Sequence, residues 1–576
     1  MTRLRFDPVP WTIALVAILS FWKVWLIRDV MWDDNCWLLS RYATDSLDAF
    51  LKTGFYEMRR EALGVYTYLL HGLHRDTDYF FPAVYGITAL TQIGSPVLLY
   101  YLVRSLAPER PLLAALTGLA FVGLHLDHNL AYISAINYRL GLMFMLASLL
   151  LTARAVSASS GRAAWQLSAI LCAALVYYVL FEGAIALEAA RLIIIVIVLG
   201  RTGLRGNALV KKTLTWWMPF LTLCLPLIAY KFLYKPYGTY QGSYPIDPWR
   251  LLNFGENLTE LRLVLASDWL RFWKFWRYAD TASSLAGLLA AALIFVVLRR
   301  AMPESGEYRP AAPATDARPA IIDWPVFFRI LLVGVGILLP PILLFQATGL
   351  SITFLGAQDN THAIMLLPGY ALIMGNLLAA FLSTRTKLLT TKNLPALLIA
   401  CILGLGVYYN NLAIDIFRDS WRTQSQFWRA FLQKFPALPE SADFMIDARL
   451  PTYYPDLRIN FDFEYTLNLL YARSTDPGQF RRYRVFTNEE FYRGYLVSKR
   501  NRVDLDPVRR GTHFGYEMLD PRKLIVVYYD PDGLRVNREI LAYNPKIEYR
   551  LWADKDSPVL PEPSVYPYRG KYYWPD

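Results

Sequence analysis

The chain has 576 residues, 55% hydrophobic and 15% aromatic, with a mean hydropathy of +0.26. Apolar runs of membrane-spanning length recur along it, which a soluble protein of this size does not need. The net charge of +12 falls in alternate connections between those runs, so no nucleic-acid partner is expected. The four cysteines, Cys36, Cys172, Cys224 and Cys401, lack metal-ligand spacing and three lie in apolar runs, which argues against a disulfide framework.

Taken in chain order, the apolar runs predict about eleven spans, each judged against the roughly 20 residues that a bilayer core requires. They fall near Trp11–Val30, Tyr79–Arg104, Leu112–Leu126, Ala131–Ala153, Trp165–Leu180 and Gly183–Leu199. Five more follow near Leu214–Leu233, Ala282–Leu298, Val326–Phe345, His362–Leu382 and Leu394–Leu412. Every second connection is basic: Arg3 and Arg5; Arg104 and Arg110; Arg154 and Arg162; Arg201, Arg205, Lys211 and Lys212. Arg299, Arg300, Arg309 and Arg318, then Arg385, Lys387 and Lys392, continue the series. By the positive-inside rule the N-terminus is cytoplasmic, and an odd number of spans puts the C-terminal segment outside. The first run reads as a true span, not a cleavable signal peptide.

The unusual residues lie in the outward loops. The first, residues 31–78, opens with Met31-Trp32-Asp33-Asp34-Asn35-Cys36-Trp37. Trp37, Leu38, Tyr42, Leu47, Phe50 and Leu51 follow at roughly helical spacing, which predicts an amphipathic helix at the membrane interface. A carboxylate pair at a membrane exit is costly against lipid, so it serves a cavity or a site; Asp before Cys36-Trp37-Leu38-Leu39 is also a good helix N-cap. The second loop is His125-Leu126-Asp127-His128-Asn129. Glu182 stands between two spans, with Arg139 or Arg191 as its structural counter-charge or a site as its alternative role. A long fourth loop carries Arg271-Phe272-Trp273-Lys274-Phe275-Trp276-Arg277, and a fifth Gln358-Asp359-Asn360-Thr361-His362. The inward connections hold basic residues and a Pro/Ala/Glu-rich linker near Met302–Ala320.

From residue 414 to 576 the chain turns polar and rich in Tyr, Arg, Asp and Pro. Lys523–Tyr529 before Asp530-Pro531-Asp532-Gly533 reads as a strand ending in a turn; Arg482–Phe486 and Ile547–Trp552 read as strands and Gln424–Phe435 as a helix. The expected architecture is therefore an α-helical multi-pass membrane domain, residues 1–413, followed by an extracytoplasmic α/β domain, residues 414–576.

An acidic pair just past the first span, followed by a long amphipathic outer loop, resembles the GT-C superfamily of membrane glycosyltransferases, which includes protein O-mannosyltransferases and aminoarabinose transferases. Asp33-Asp34 is similar to that family's first-loop acidic pair, and His125-x-Asp127-His128 sits where several members carry a second-loop acidic or His motif. Phe181-Glu182-Gly183 resembles its Lys-Glu element without the lysine. Where many members place an arginine beside the carrier phosphate, this chain has His362. The Trp-Trp-Asp motif of oligosaccharyltransferases is missing. The resemblance implies a polyprenyl-phosphate-linked sugar donor, and a glycan, lipid-linked or protein acceptor, at the outer face of a bacterial plasma membrane.

Such chemistry needs a base for the acceptor hydroxyl, the role of Asp33 or Asp34. It also needs stabilisation of the departing phosphate by a divalent metal or by cationic donors. Oxygen and imidazole ligands at His125, Asp127 and His128 suit Mg, Mn or Zn; a metal-independent route would rely on cations. Glu182, Arg271, Lys274, Arg277 and His362 are the candidates for donor-phosphate or acceptor binding, Arg by its fork geometry. Two other classes share the spans: a polysaccharide polymerase or ligase, expected to use Arg-rich outer loops, and a lipid-linked glycan flippase or transporter, expected to carry polar or broken spans at the midplane. The topology has a direct check. Cysteines placed in the tail should react with an impermeant reagent from outside, and cysteines near Lys211 should not; the reverse labelling pattern would overturn the assignment.

Overall fold

The structure is a computed structural model that describes residues 7–27, 33–124, 132–237, 247–252, 279–301, 324–348, 363–383, 393–438, 442–448, 460–472, 483–487, 508–512, 515–519, 524–530 and 533–536. Among these residues, ten helical stretches are long and apolar enough to cross a membrane. The first is α1 (Val9–Phe21) with the 3-10 turn Trp22–Leu26. The short helices α2 (Asp33–Tyr42), α3 (Leu47–Lys52), α4 (Phe55–Met58) and α5 (Glu61–Asp76) then form the first loop. The bundle continues with α6 (Phe80–Leu106), α7 (Pro111–Gly123), α8 (Ile136–Ser157), α9 (Arg162–Leu175), α10 (Glu188–Arg201) and α11 (Gly206–Leu233). It closes with α12 (Thr281–Ala301), α13 (Trp324–Thr348), α14 (Leu367–Ser383) and α15 (Asn393–Lys434).

Each of the eleven expected runs coincides with a helix. The third is the exception in length: α7 has 13 residues, about 20 Å at 1.5 Å per residue. It is buried on every side from Leu113 to Gly123. A helix buried this completely packs on protein along its length and has no lipid-facing stretch to match to the bilayer core. Small residues permit that packing: a Cβ added at Gly406 of α15 would overlap the carbonyl of Gly123.

One ion pair ties the middle of the bundle together. Arg191 Nε donates to both carboxylate oxygens of Glu188 at 2.8 and 2.9 Å. Its other nitrogens reach Thr152 Oγ1 at 2.6 Å and Ser148 Oγ at 3.0 Å on α8. Glu188 in turn accepts from Trp217 Nε1 on α11 at 3.1 Å and from the Tyr177 hydroxyl. The Arg191 guanidinium also lies 3.7 Å from the Phe220 ring centroid. Four helical segments are thereby joined through one satisfied pair.

Beyond the bundle, α15 runs 42 residues without a break and passes through the expected boundary at 413/414. Its last turns hold the expected helix at Gln424–Phe435, ending at Lys434. Two expected strands fall on β2 (Tyr483–Thr487) and β5 (Leu524–Asp530); residues 547–552 lie outside the described residues. With β1 (Ala442–Ala448) and β6 (Gly533–Val536) they make a four-stranded sheet in the order β2-β1-β5-β6, parallel except for β6. The pair β3 (Val508–Thr512) and β4 (Gly515–Leu519) is antiparallel and separate. Helix α16 (Asn460–Leu470) is fastened to β2 by Asn468, which donates to Tyr483 O at 2.6 Å and accepts from Tyr483 N at 2.9 Å.

The first loop departs from the expected interfacial helix. Leu38, Leu39 and Tyr42 of α2 are buried in one core with Phe427, Trp428 and Phe431 of α15 and with Phe463 and Leu467 of α16. Periodicity registers an apolar face but not its partner, and here protein covers the face that lipid was expected to cover. The buried ion pair gives a clear stability expectation. Arg191→Leu should cost about 3–5 kcal/mol, because it leaves Glu188 buried and uncompensated. Glu188→Gln combined with Arg191→Met should recover most of that loss in thermal unfolding. Equal melting of the two variants would show that the pair does not lock the bundle.

Candidate functional site

The local structure between α4 and α5 is unusual. Arg59 is the one non-glycine residue with positive φ (59°) among the described residues, a conformation costing about 1–3 kcal/mol. That left-handed turn reverses the chain and directs two neighbouring groups to one place. The Arg59 carbonyl accepts from Lys231 Nζ at 2.9 Å, and Arg60 Nε donates to Glu182 Oε1 at 2.7 Å. Lys231, in the last turn of α11, also lies 3.3 Å from the same Glu182 oxygen. Three remote segments thus meet at Glu182.

Glu182 reaches this position because the helix breaks just before it. Val176–Leu180 winds as a π-helix, Phe181 is extended (φ −160°, ψ 100°), and Glu182–Leu187 restarts as 3-10. Such windings leave backbone groups and side chains turned away from the regular ladder and recur at functional positions. The sequence expectation that Glu182 pairs with Arg139 or Arg191 is therefore corrected. Arg191 is held by Glu188, and Glu182 is held by Arg60 and Lys231. The cluster is partly open, with side-chain exposures of 26% for Glu182 and 25% for both cations. Around it, Tyr230 donates to Glu61 Oε1 at 3.1 Å. The Arg59 guanidinium lies 4.7 Å from the Tyr237 ring centroid and 5.8 Å from that of Tyr234.

Asp33 and Asp34 are the first two residues of α2. The direction of α2 is fixed by what it touches along α5. Trp37 packs at a tilt 4.4 Å from Phe55 of α4, whose ring in turn lies where Gly64 of α5 leaves room. One turn on, Arg41 covers Tyr68 at 4.2 Å and borders Gly72. Tyr42 then meets His74, with hydroxyl and Nδ1 3.2 Å apart. Contacts climb both helices together, so α2 and α5 run parallel. Their starting residues, Asp33-Asp34 and Arg60-Glu61, face the same end.

The remaining sequence candidates, His125, Asp127, His128, Arg271, Lys274, Arg277 and His362, lie outside the described residues. Among the described residues no group of three or more His, Cys, Asp or Glu could hold a metal ion. Arg60 and Lys231 were not singled out from sequence. A usable signal is present, since Arg59-Arg60-Glu61 is a charged triplet in the first loop and Lys231 lies in the last turn of an apolar span.

No protein-family model matches the sequence, and no curated protein matches it. Among solved structures, the crystal structure of ArnT from Cupriavidus metallidurans bound to undecaprenyl phosphate is similar to 93% of this chain and 94% of that one, with 13% identity and a TM-score of 0.36. A likeness that loose carries no inference about chemistry.

The interface of α2 and α5 contains a titratable group with a definite effect. His71 is buried, with Nδ1 3.0 Å from the Thr67 carbonyl oxygen, and burial pushes its pKa down to about 4. In the unfolded chain the same ring takes up its proton near pH 6.5. Between those values the unfolded state binds more protons, so stability should fall as pH drops from about 6.5 towards 4. His71→Phe should flatten that segment of the stability–pH curve. An unchanged slope would assign the titration to another group.

Proposed function

We propose that the chain is a membrane glycosyltransferase of the GT-C kind. It takes one sugar from a polyprenyl-phosphate donor and passes it to a glycan or lipid-linked acceptor on the periplasmic face of a bacterial plasma membrane. The residues that follow α15, packed on its last turns, form a small extracytoplasmic α/β domain, where the tyrosines of the tail suit a sugar acceptor. The observation that carries the reading is the convergence of Arg60 and Lys231 on Glu182, at the end where the acidic start of α2 also lies.

The chemistry follows from those charges. The acceptor hydroxyl attacks the anomeric carbon, its proton passes to the carboxylate of Asp33 or Asp34, and the new C–O bond forms with inversion. The bond from the anomeric carbon to the phosphate oxygen breaks, and the electron pair leaves with polyprenyl phosphate. Negative charge grows on that oxygen, and Arg60 and Lys231 are placed to stabilise it electrostatically. Glu182 keeps the two cations together in the absence of substrate, where their mutual repulsion would otherwise separate them. Metal ligation by His125, Asp127 and His128, and phosphate contact by Arg271, Lys274, Arg277 or His362, remain parts of the proposal that the described residues do not bear on. The charged pair deepest among the spans, Glu188 with Arg191, is fully engaged by neighbours, which disfavours a polar translocation path.

The test separates catalysis from helix capping. Asn in place of a capping Asp keeps the side-chain oxygen and costs a few tenths of a kcal/mol. In place of the base it should reduce transfer by roughly 10²–10⁴. Asp33→Asn and Asp34→Asn should therefore both fold, and at least one should lose transfer from a polyprenyl-phosphate sugar. The wild-type chain should ignore UDP-sugars, since no Gly-rich phosphate loop is present. Near-normal turnover in both variants, or efficient use of a nucleotide sugar alone, would sink the reading.

A further inference from the structure

A second charge cluster lies outside the proposed site. Lys23, in the 3-10 turn that ends the first span, is 1% exposed. Its ammonium donates to Asp280 Oδ2 at 2.5 Å, to Ser283 Oγ at 2.7 Å and to Asp415 Oδ2. Asp280 also caps the start of α12, accepting from Ser283 N at 2.8 Å. Burial opposes its ionisation, but hydrogen bonds from Lys23 and Ser283 outweigh that and hold its carboxyl below the usual carboxylate range. Arg418, one turn on from Asp415, completes the cluster at 2.9 Å. A charge so buried needs every partner, so the end of the first span has essentially one position relative to α12 and α15.

The consequence reaches the acidic helix through α15. Just below Asp415, Asn410 donates to Ser20 Oγ at 2.7 Å and Asn411 to the Leu19 carbonyl at 2.8 Å, so α15 is bolted to the first span over more than a turn. Beyond Asp415 the same unbroken helix carries Phe427, whose ring meets Phe463 of α16 at 5.2 Å. From Asp415 to Phe427 is 12 residues, about 18 Å at 1.5 Å per residue. Leu38, Leu39 and Tyr42 of α2 are buried in that same aromatic core. The geometry points to Lys23 as a positioning residue: through Asp280 and Asp415 it sets where α15 stands on the first span, and α15 with α16 thereby holds α2, and Asp33-Asp34 at its start, against the bundle. This rests on the proposed role of the acidic pair only for its catalytic consequence; the mechanical part stands without it.

The experiment uses the full chain in lipid nanodiscs and follows amide hydrogen exchange, with transfer from a polyprenyl-phosphate-linked sugar measured alongside. Lys23→Met should speed exchange across Asp33–Tyr42 by roughly tenfold while α8 and α10 keep their protection. It should lower kcat with KM little changed. Adding Asp415→Asn to Lys23→Met removes the buried carboxylate that has lost its lysine and keeps only Arg418, and should restore part of the protection. If Lys23→Met fails to fold, Asp280→Asn, which keeps the cap oxygen but halves the lysine's counter-charge, should give the same pattern more weakly. Unchanged exchange in α2 for whichever variants fold, or loosening confined to the start of α12, would overturn the positioning role. Faster exchange in α2 with undiminished transfer would support the positioning role and count against the acidic pair as the base.

Discussion

An apolar bundle offers no water to a charge, so each ionised side chain inside it must find its counter-charge and hydrogen bonds among neighbouring protein groups. The described architecture depends on that constraint at three levels. Glu188 and Arg191 join α8, α10, α11 and the π-turn among the spans. Lys23 joins the first span to α12 and α15 where they leave the bundle. Arg60 and Lys231 join the first loop and α11 to the helix break at Glu182. Apolar packing brings helices together without choosing among neighbouring registers; a buried ion with several partners accepts only one.

The aromatic core outside the bundle adds the next layer of order. Phe427, Trp428 and Phe431 project from the far part of α15 into contact with Phe444, Phe463 and Tyr471. Edge-on and tilted ring pairs of this kind are worth about 0.5–1.5 kcal/mol each beyond area burial. Because the core also takes in α2, the first loop and the tail stabilise one another. Neither would bury its apolar face alone. The parallel course of α2 and α5 is a product of this packing, and it brings an acidic helix start and a basic turn to one end.

Much of the bundle is legible in sequence because hydropathy records a local property: an apolar run of the right length becomes a helix at that place. Strands at Tyr483–Thr487 and Leu524–Asp530 are legible for the same reason, through β-branched and aromatic runs closed by turn residues. Partnership is not local, and there the reading fails. The structural role open to Glu182 in sequence is a pairing with Arg139 or Arg191 from another span, yet its cations come from 122 residues before and 49 after. The left-handed turn at Arg59 that makes the longer connection carries no glycine to announce it. Likewise the amphipathic face of α2 was visible, but no single-segment pattern distinguishes a face meant for lipid from one meant for another part of the chain.

Burial separates the three charge clusters by what each can do. Arg191 and Glu188 have side-chain exposures of 0% and 6%; in the second cluster Lys23 and Asp415 are closed at 2% and 3%, while Asp280 and Arg418 at its rim are 34% and 25% exposed. The cluster at Glu182 has its carboxylate and both its cations each about one-quarter exposed, so the cations can be approached from solvent while partial burial strengthens their interactions over those in bulk water. It is also assembled from a strained turn and a broken helix, the two local irregularities that the surrounding packing must sustain. Of the three clusters it is the one in which the carboxylate and both of its cations are all partly open, and there the fold also sustains backbone irregularity. That coincidence of exposure and irregular backbone is what sets the Glu182 cluster apart from the two that serve to lock helices together.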